Sequence, residues 1–349
     1  EQQVRAAIET ERGYDEDLWR QMASGLSLPS LALPAEYGGD GFGFTELQVV
    51  LEELGRALTP SPFLASVVLA ASAILAAGDE VAAKAYLPGI ASGKTTAALA
   101  VAESAGLWSF DRLTATARPA DGDGWLLTGT KQFVVHGATA DLLVVAAHTE
   151  QGPGFFAVLA GAAGLTRSAL RTLDLTRPMA AIEFSDTPAT LIGTAGAAGP
   201  ALDAVLDRAM TALAAEQAGA ARACLEASAA YARERHQFGR PIGSFQAVKH
   251  KCADMLVKLE LAQAAATEAA RAADGAPDAA PLPQAAAVAH AVCSESLMFV
   301  AAENIQVHGG IGFTWEHPAH LYFRRAKASQ LMFGGPGFYF EHLLRRSGL

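Results

Sequence analysis

The 349-residue chain is 51% hydrophobic and only 18% charged, which leaves apolar surface enough for two or three domains and a subunit interface. Its formal net charge of -10 excludes non-specific nucleic-acid binding, which needs a basic face. Cys224, Cys252 and Cys293 each sit in a helical pattern and are expected as buried free thiols in a reducing compartment. Glu1 to Arg5 show no basic-then-apolar leader, and the alanine-rich run from Phe63 to Ala77, broken by Ser66 and Ser72, is short for a membrane span. The expectation is a soluble cytoplasmic protein with no membrane partner.

The first ninety residues read as helices separated by Pro29, Pro34, the Gly38-to-Gly43 loop and Pro60-Ser61-Pro62, with Leu47, Val50, Leu51 and Leu54 at helical spacing. From about Thr95 the period changes. Short strand-like runs are predicted at Leu113 to Arg118, Trp125 to Thr128, Lys131 to Val135, Leu142 to Ala147, Phe155 to Leu159 and Ala180 to Phe184. Turns at Asp121-Gly122-Asp123-Gly124 and Gly129-Thr130 divide them, the pattern of a small barrel or sandwich. Beyond Gly193 to Pro200 a long alanine-rich helix is predicted to Gln237. A second helix carries Phe245, Val248, Cys252, Met255 and Leu259, and the loop Asp274 to Pro283 follows it. Helices over Gln284 to Val307, Pro318 to Met332 and from Phe338 onward complete a bundle. The predicted domains are 1–95, helical; 96–195, β; and 196–349, a helical bundle.

The segment Arg235-His-Gln-Phe-Gly-Arg-Pro-Ile-Gly-Ser-Phe-Gln246 reads as a helix end, a sharp turn and a new start. Gly239 can take the left-handed conformation, Pro241 stops a helix, and Ser244 suits an N-cap. Such a corner presents a guanidinium, a carboxamide and a phenyl ring, able to hold a phosphate beside a flat ring. The order of residues resembles the flavin-contacting corner of the acyl-CoA dehydrogenases. Asn304-Ile-Gln-Val-His-Gly-Gly-Ile-Gly-Phe313 resembles the same family's glycine-rich turn. Leu33-Pro-Ala-Glu-Tyr-Gly-Gly-Asp-Gly41, followed by Glu52-Glu53-Leu54-Gly55, resembles its N-terminal loop and helix.

The resemblance implies a helical N-terminal domain, a central β-barrel and a C-terminal helical bundle. It implies FAD as cofactor and α,β-desaturation of an acyl-CoA substrate, with a carboxylate taking the α-proton and a flavin accepting hydride. It also implies an electron-transferring flavoprotein as acceptor. The family's usual base is a glutamate, and Phe333 stands at that position. Where some relatives place the base on the long helix, Ala209 stands here. Asp207 is the nearest carboxylate, and Glu216, roughly 10 Å further along the axis, is a weak substitute. The family's Thr-Glu-Pro-x-x-Gly-Ser-Asp loop is replaced by Glu103 to Phe110, and its Trp-Ile-Thr strand by Phe133-Val134-Val135, while Gly335 and Gly337 stand at two further cofactor contacts.

The elements that the family lends across to a neighbour's FAD are present: Arg235, Gln237, Phe238, Gln306, Gly309 and Gly310. The chain therefore resembles the non-catalytic subunits of heteromeric actinobacterial acyl-CoA dehydrogenases that act on steroid side-chain CoA thioesters. That resemblance implies no catalytic residue of its own and an FAD shared with a sister subunit. Two other readings stand beside it: an active homomer with a non-standard base such as Glu216, and a non-enzymatic acyl-CoA-binding protein on the same fold. Rival motifs are weaker. Gly93-Lys94-Thr95 lacks the upstream glycine of a P-loop, Pro88 standing there. His317 and His320 lack the companions of a metal site, and no Gly-x-Ser-x-Gly elbow exists.

Overall fold

The computed structural model describes residues 1–110, 113–122 and 124–346. Five α-helices lead the chain: α1 (Gln2–Ile8), α2 (Glu16–Arg20), α3 (Phe44–Arg56), α4 (Ala71–Ala76) and α5 (Glu80–Ala91). Asp15 and Asp79 cap α2 and α5 by accepting from the next turn's amides, as short acidic caps do. The apolar run before α4 is a π-helical segment, Leu64–Ala70, buried throughout.

Seven strands follow: β1 (Ala97–Ala100), β2 (Thr116–Pro119), β3 (Trp125–Val135), β4 (Leu142–Thr149), β5 (Gly152–Leu159), β6 (Leu165–Ala169) and β7 (Met179–Ile192). The sheet runs β1-β4-β2-β3-β7-β5 and closes where β4 pairs β5, with β6 added along β7. Its interior is filled by Leu127, Val134, Leu143, Val145, Phe156, Val158, Ile182 and Phe184. The closed sheet selects the barrel over the sandwich.

Gly129-Thr130 is not a turn between two strands. It lies inside β3, where Gly129 (φ 139°) marks a register shift against β7, and a second shift falls between Lys131 and Val134. Strands β1 and β6 were not predicted. The predicted strand from Leu113 begins at Thr116, and in the predicted Asp121-to-Gly124 turn Asp123 lies outside the described residues.

The C-terminal region holds α6 (Ala198–Glu234), α7 (Gln246–Ala273), α8 (Leu282–His308), α9 (Ala319–Leu331) and α10 (Gly335–Arg346). Small residues let these helices close on one another. Ala214, Ala218, Ala262, Ala266, Ala289 and Cys293 form one buried cluster, and Cys224, Met255, Leu259, Leu297, Val300 and Ala326 another. Helix α8 is long and apolar enough to cross a membrane by composition, but 61% of its most apolar window is buried, which fits the centre of this bundle. Helices α3 and α6 cross closely: a Cβ on Gly55 would lie 2.0 Å from the Glu216 carbonyl oxygen, and one on Gly219 1.9 Å from that of Glu52. Gly55, part of the Glu52-to-Gly55 motif, is thus a packing glycine that fixes Glu216 in place.

Helix α6 stops at Glu234, three residues before its predicted end. His236–Gln237 (β8) and Arg240–Pro241 (β9) form a two-residue hairpin. Phe238 (φ 53°) and Gly239 (φ 80°) are both left-handed, as a type I′ turn requires. Ser244 does not cap α7; its hydroxyl donates to the Pro241 carbonyl at 2.7 Å, and Phe245 takes the N-cap position without a side-chain bond.

Candidate functional site

A cavity of about 410 Å³ opens beside the barrel, with Gly106, Trp108, Phe133, Val135, Arg177 and Phe333 among its lining residues. Three segments far apart in sequence meet there: Ser104 to Trp108, Phe133 with Val135, and Met332 to Gly334. These are the segments in which the sequence departs from the dehydrogenase pattern.

Phe333 is left-handed (φ 61°, ψ 11°) and 1% exposed. Its ring meets Trp108 edge to face, centroids 4.9 Å apart at 82°. An aromatic pair of this geometry adds about 0.5–1.5 kcal/mol beyond its area burial. Both rings belong to the core cluster that also contains Val67, Val135, Leu206, Ala209, Met210 and Leu213. Ala209 therefore contributes a packed methyl, and Phe333 a buried phenyl. Val135 is buried, while Phe133, raised by the β3 irregularity into left-handed backbone (φ 56°), leaves its ring 43% exposed at the cavity.

The loop carrying Trp108 is anchored from beneath. Glu103 accepts from the Thr114 amide (2.8 Å) and hydroxyl (2.6 Å), the Ala115 amide (3.0 Å) and the Lys131 ammonium (2.8 Å). Burial alone raises the Glu103 carboxyl, but Lys131, Thr114 and Ala115 outweigh it and hold it at about 2. Burial lowers the Lys131 ammonium to about 8 against the opposing pull of Glu103.

A four-charge cluster backs the cavity. Arg177 bonds the Glu216 carboxylate and donates to Ser329 Oγ at 3.2 Å. Arg325 lies 3.7 Å from Glu216 and donates to Asp174 at 2.6 Å. Asp174 also accepts from the Thr176 amide at 2.9 Å. Two guanidiniums and two carboxylates balance, all nearly buried. Burial raises the Asp174 carboxyl, and Arg325 and Arg177 more than offset it, leaving it lowered. Glu216, named from sequence as a substitute base, is not among the cavity-lining residues. Its carboxylate is the ion partner of Arg177, which leaves it poorly placed to take a substrate proton.

The sequence-predicted cofactor residues lie elsewhere, on exposed surface. Arg235, Gln237, Gln306, Gly309 and Gly310 are exposed, and Phe238 is 91% exposed. Phe245 braces the hairpin, with the Arg240 guanidinium 4.2 Å from its ring centroid and Phe238 edge-on at 6.1 Å. The hairpin and the glycine turn are joined: Tyr231, whose carbonyl accepts from the Arg235 amide, stacks at 4.4 Å on His308, the residue before Gly309. Ser228 donates to Asn304 Oδ1 at 2.8 Å one turn earlier. His317 packs on His308 at 4.2 Å, and His320 on Trp315 at 4.5 Å. Gly309 needs its φ of 64°, whereas a Cβ on Gly310 would meet nothing within 4 Å.

Comparison with known proteins fits this geometry. The acyl-CoA dehydrogenase N-terminal domain family matches residues 1–94, and the acyl-CoA dehydrogenase C-terminal domain family matches residues 194–346. The chain belongs to the acyl-CoA dehydrogenase family. It is 37% identical over 343 residues to acyl-CoA dehydrogenase IpdE2 of Mycobacterium tuberculosis, covering 98% of this chain and 89% of that protein. A variant of the Tcur3481-Tcur3483 steroid ACAD superposes with a TM-score of 0.88 at 37% identity, covering 99% of this chain and 93% of that one. The ChsE4-ChsE5 complex from Mycobacterium tuberculosis gives 0.86 at 31% identity, covering 99% and 91%.

FAD is the cofactor of this family, and the cavity fits its ring poorly. The pyrimidine edge of a flavin needs several hydrogen-bond partners. Among the lining side chains Val135 offers none, the Thr172 hydroxyl donates to the Asp174 carbonyl, and Arg177 and Asp174 are committed to Glu216, Ser329, Thr176 and Arg325, which leaves the Ser104 hydroxyl. The signals missed in the sequence are Trp108, Asp174, Arg177 and Arg325. A buried arginine in a barrel-edge segment has no local pattern, because its partners come from other elements.

Proposed function

We propose that this chain is the subunit of an FAD-dependent acyl-CoA dehydrogenase that lacks its own base and completes the FAD site of a sister chain. One observation carries the reading. The altered segments converge on a single apolar cavity without a free carboxylate, while the retained corner and glycine turn sit side by side on exposed surface.

FAD, when bound, supplies the hydride acceptor. This chain's part is to hold it. Arg235 offers a charge-assisted fork to the pyrophosphate, and Gln237 and Gln306 offer carboxamides. Phe238, projected by the I′ turn, offers a ring face, and Gly309-Gly310 offer backbone without Cβ obstruction. A phenylalanine hydrocarbon edge is a poor resident for solvent at 91% exposure, which suits a partner surface. The two-chain names of the structural neighbours support a sister subunit, and the steroid named for one supports a bulky CoA thioester as the assembly's substrate. An electron-transferring flavoprotein as acceptor, a cytoplasmic location and domains meeting near residues 95 and 196 belong to the same proposal.

The test is to purify the chain alone and together with an acyl-CoA dehydrogenase that carries the glutamate base, then record flavin absorbance and turnover. The expected result is a colourless, inactive chain alone and a yellow, active complex with about one FAD per pair. One FAD per chain in protein expressed alone, with turnover, supports the active homomer instead.

A further inference from the structure

We infer that the cavity beside Trp108 and Phe333 is a binding site for a neutral, apolar small molecule. This rests on the reading above in one respect, that the cavity holds no flavin ring. Its volume of about 410 Å³ falls in the range of small-molecule pockets, roughly 300–1,000 Å³. At about 30 Å³ per water-sized group it accommodates roughly a dozen non-hydrogen atoms.

The walls select the chemistry. Trp108 and Phe333 supply an edge-to-face pair of rings, Met179 and Met332 adaptable thioethers, and Phe133 a ring at the exposed edge. The charged groups on the wall are neutralised before any ligand arrives. Asp174 is bonded by Arg325 and the Thr176 amide, and Arg177 by Glu216 and Ser329. A charged ligand would lose its hydration and find no unpaired counter-charge; a neutral apolar one loses only unfavourable contact with water. The bonds of Glu103 to Thr114, Ala115 and Lys131 hold the wall that begins at Ser104 in place, so the site is preformed.

The probe is 1-naphthylamine, a neutral fluorophore small enough for this volume, added to the full chain alone and in complex with its sister subunit after flavin content has been read by absorbance. Saturable binding at one site per copy of this chain is expected, with energy transfer from tryptophan that falls in Trp108→Phe. Phe133→Asp, which introduces a residue tolerant of the left-handed backbone at this position, is expected to weaken probe binding at least about tenfold. On unaltered protein, 1-decanol is expected to displace the probe at concentrations about tenfold below those needed with decanoate. No saturable binding to a chain shown to be free of flavin overturns this inference and leaves the shared-FAD reading standing. Equal displacement by decanol and decanoate, or unchanged affinity in Phe133→Asp, overturns it as well. One FAD per chain in the unaltered complex contradicts both.

Discussion

Glu216→Gln separates a structural carboxylate from a catalytic one. In the folded chain Glu216 shares two guanidiniums with Asp174, and loss of its charge leaves Arg177 and Arg325 facing a single carboxylate at a nearly buried site. Breaking a buried ion pair from one side costs about 3–5 kcal/mol, a large part of a domain's typical 5–15 kcal/mol. With a urea slope near 3 kcal/mol/M, the unfolding midpoint should fall by about 1 M or more. The double variant Arg177→Met/Glu216→Gln removes one charge of each sign, and it should recover part of that loss. The assay is urea unfolding followed by fluorescence, paired with turnover of the complex per folded molecule. Turnover per folded molecule is expected to stay within a few-fold of the unaltered complex. A Glu216→Gln chain of unchanged stability whose complex loses a thousandfold in turnover would show Glu216 to be the base, and the structural argument would be wrong.

Phe333→Glu in the isolated chain is expected to yield no dehydrogenase turnover and to destabilise it by about 3 kcal/mol or more, because it deletes a buried ring and buries a carboxylate whose nearest cations are already paired. Acid should loosen the hold of Glu103 on Thr114, Ala115 and Lys131. Because Glu103 is held at about 2 in the folded chain, its stabilisation is complete above the unfolded carboxyl's 4.5 and is lost as pH falls from there toward 2. Trp108 near-UV dichroism should fade across that window, and it should not do so in Glu103→Gln/Lys131→Met. Gly310→Val should fold normally, since its Cβ meets nothing within 4 Å, yet weaken flavin retention by the complex, measured by ultrafiltration. Undiminished retention would mean that no ligand approaches this turn.

The helices and the hairpin corner were legible because their signals are local: alanine-rich runs, Pro318 before α9 and Gly239 in left-handed backbone all act within a few residues. Even there, the corner was read as a helix stop when Phe238 and Gly239 together make a I′ hairpin. Strand β1, Ala-Ala-Leu-Ala, was invisible because alanine carries no strand preference; it is a strand because it pairs in parallel with β4 and is wholly buried. Gly129 misled because a glycine inside a strand and one between strands look alike in sequence, and only pairing with β7 distinguishes them. At the site, the losses at Phe333 and Val135 could be read singly. Their meeting with Trp108 in one cavity, and the four-charge cluster from Asp174, Arg177, Glu216 and Arg325, are tertiary facts. No spacing rule connects residues so far apart.

The retained corner is the centre of the account, and Arg235→Ala tests it. Arg235 is exposed and no ion pair in the described structure involves it, so its loss should leave the chain's own stability within about 0.5 kcal/mol. A charge-assisted contact to a pyrophosphate contributes roughly 1.5–3 kcal/mol, about ten- to more than a hundredfold in affinity. The measurement is the FAD dissociation constant of the complex in which only this chain carries Arg235→Ala, by titration of deflavinated protein. The account predicts weakening by at least tenfold with unaltered assembly of the two chains. An unchanged dissociation constant in an intact complex would contradict it.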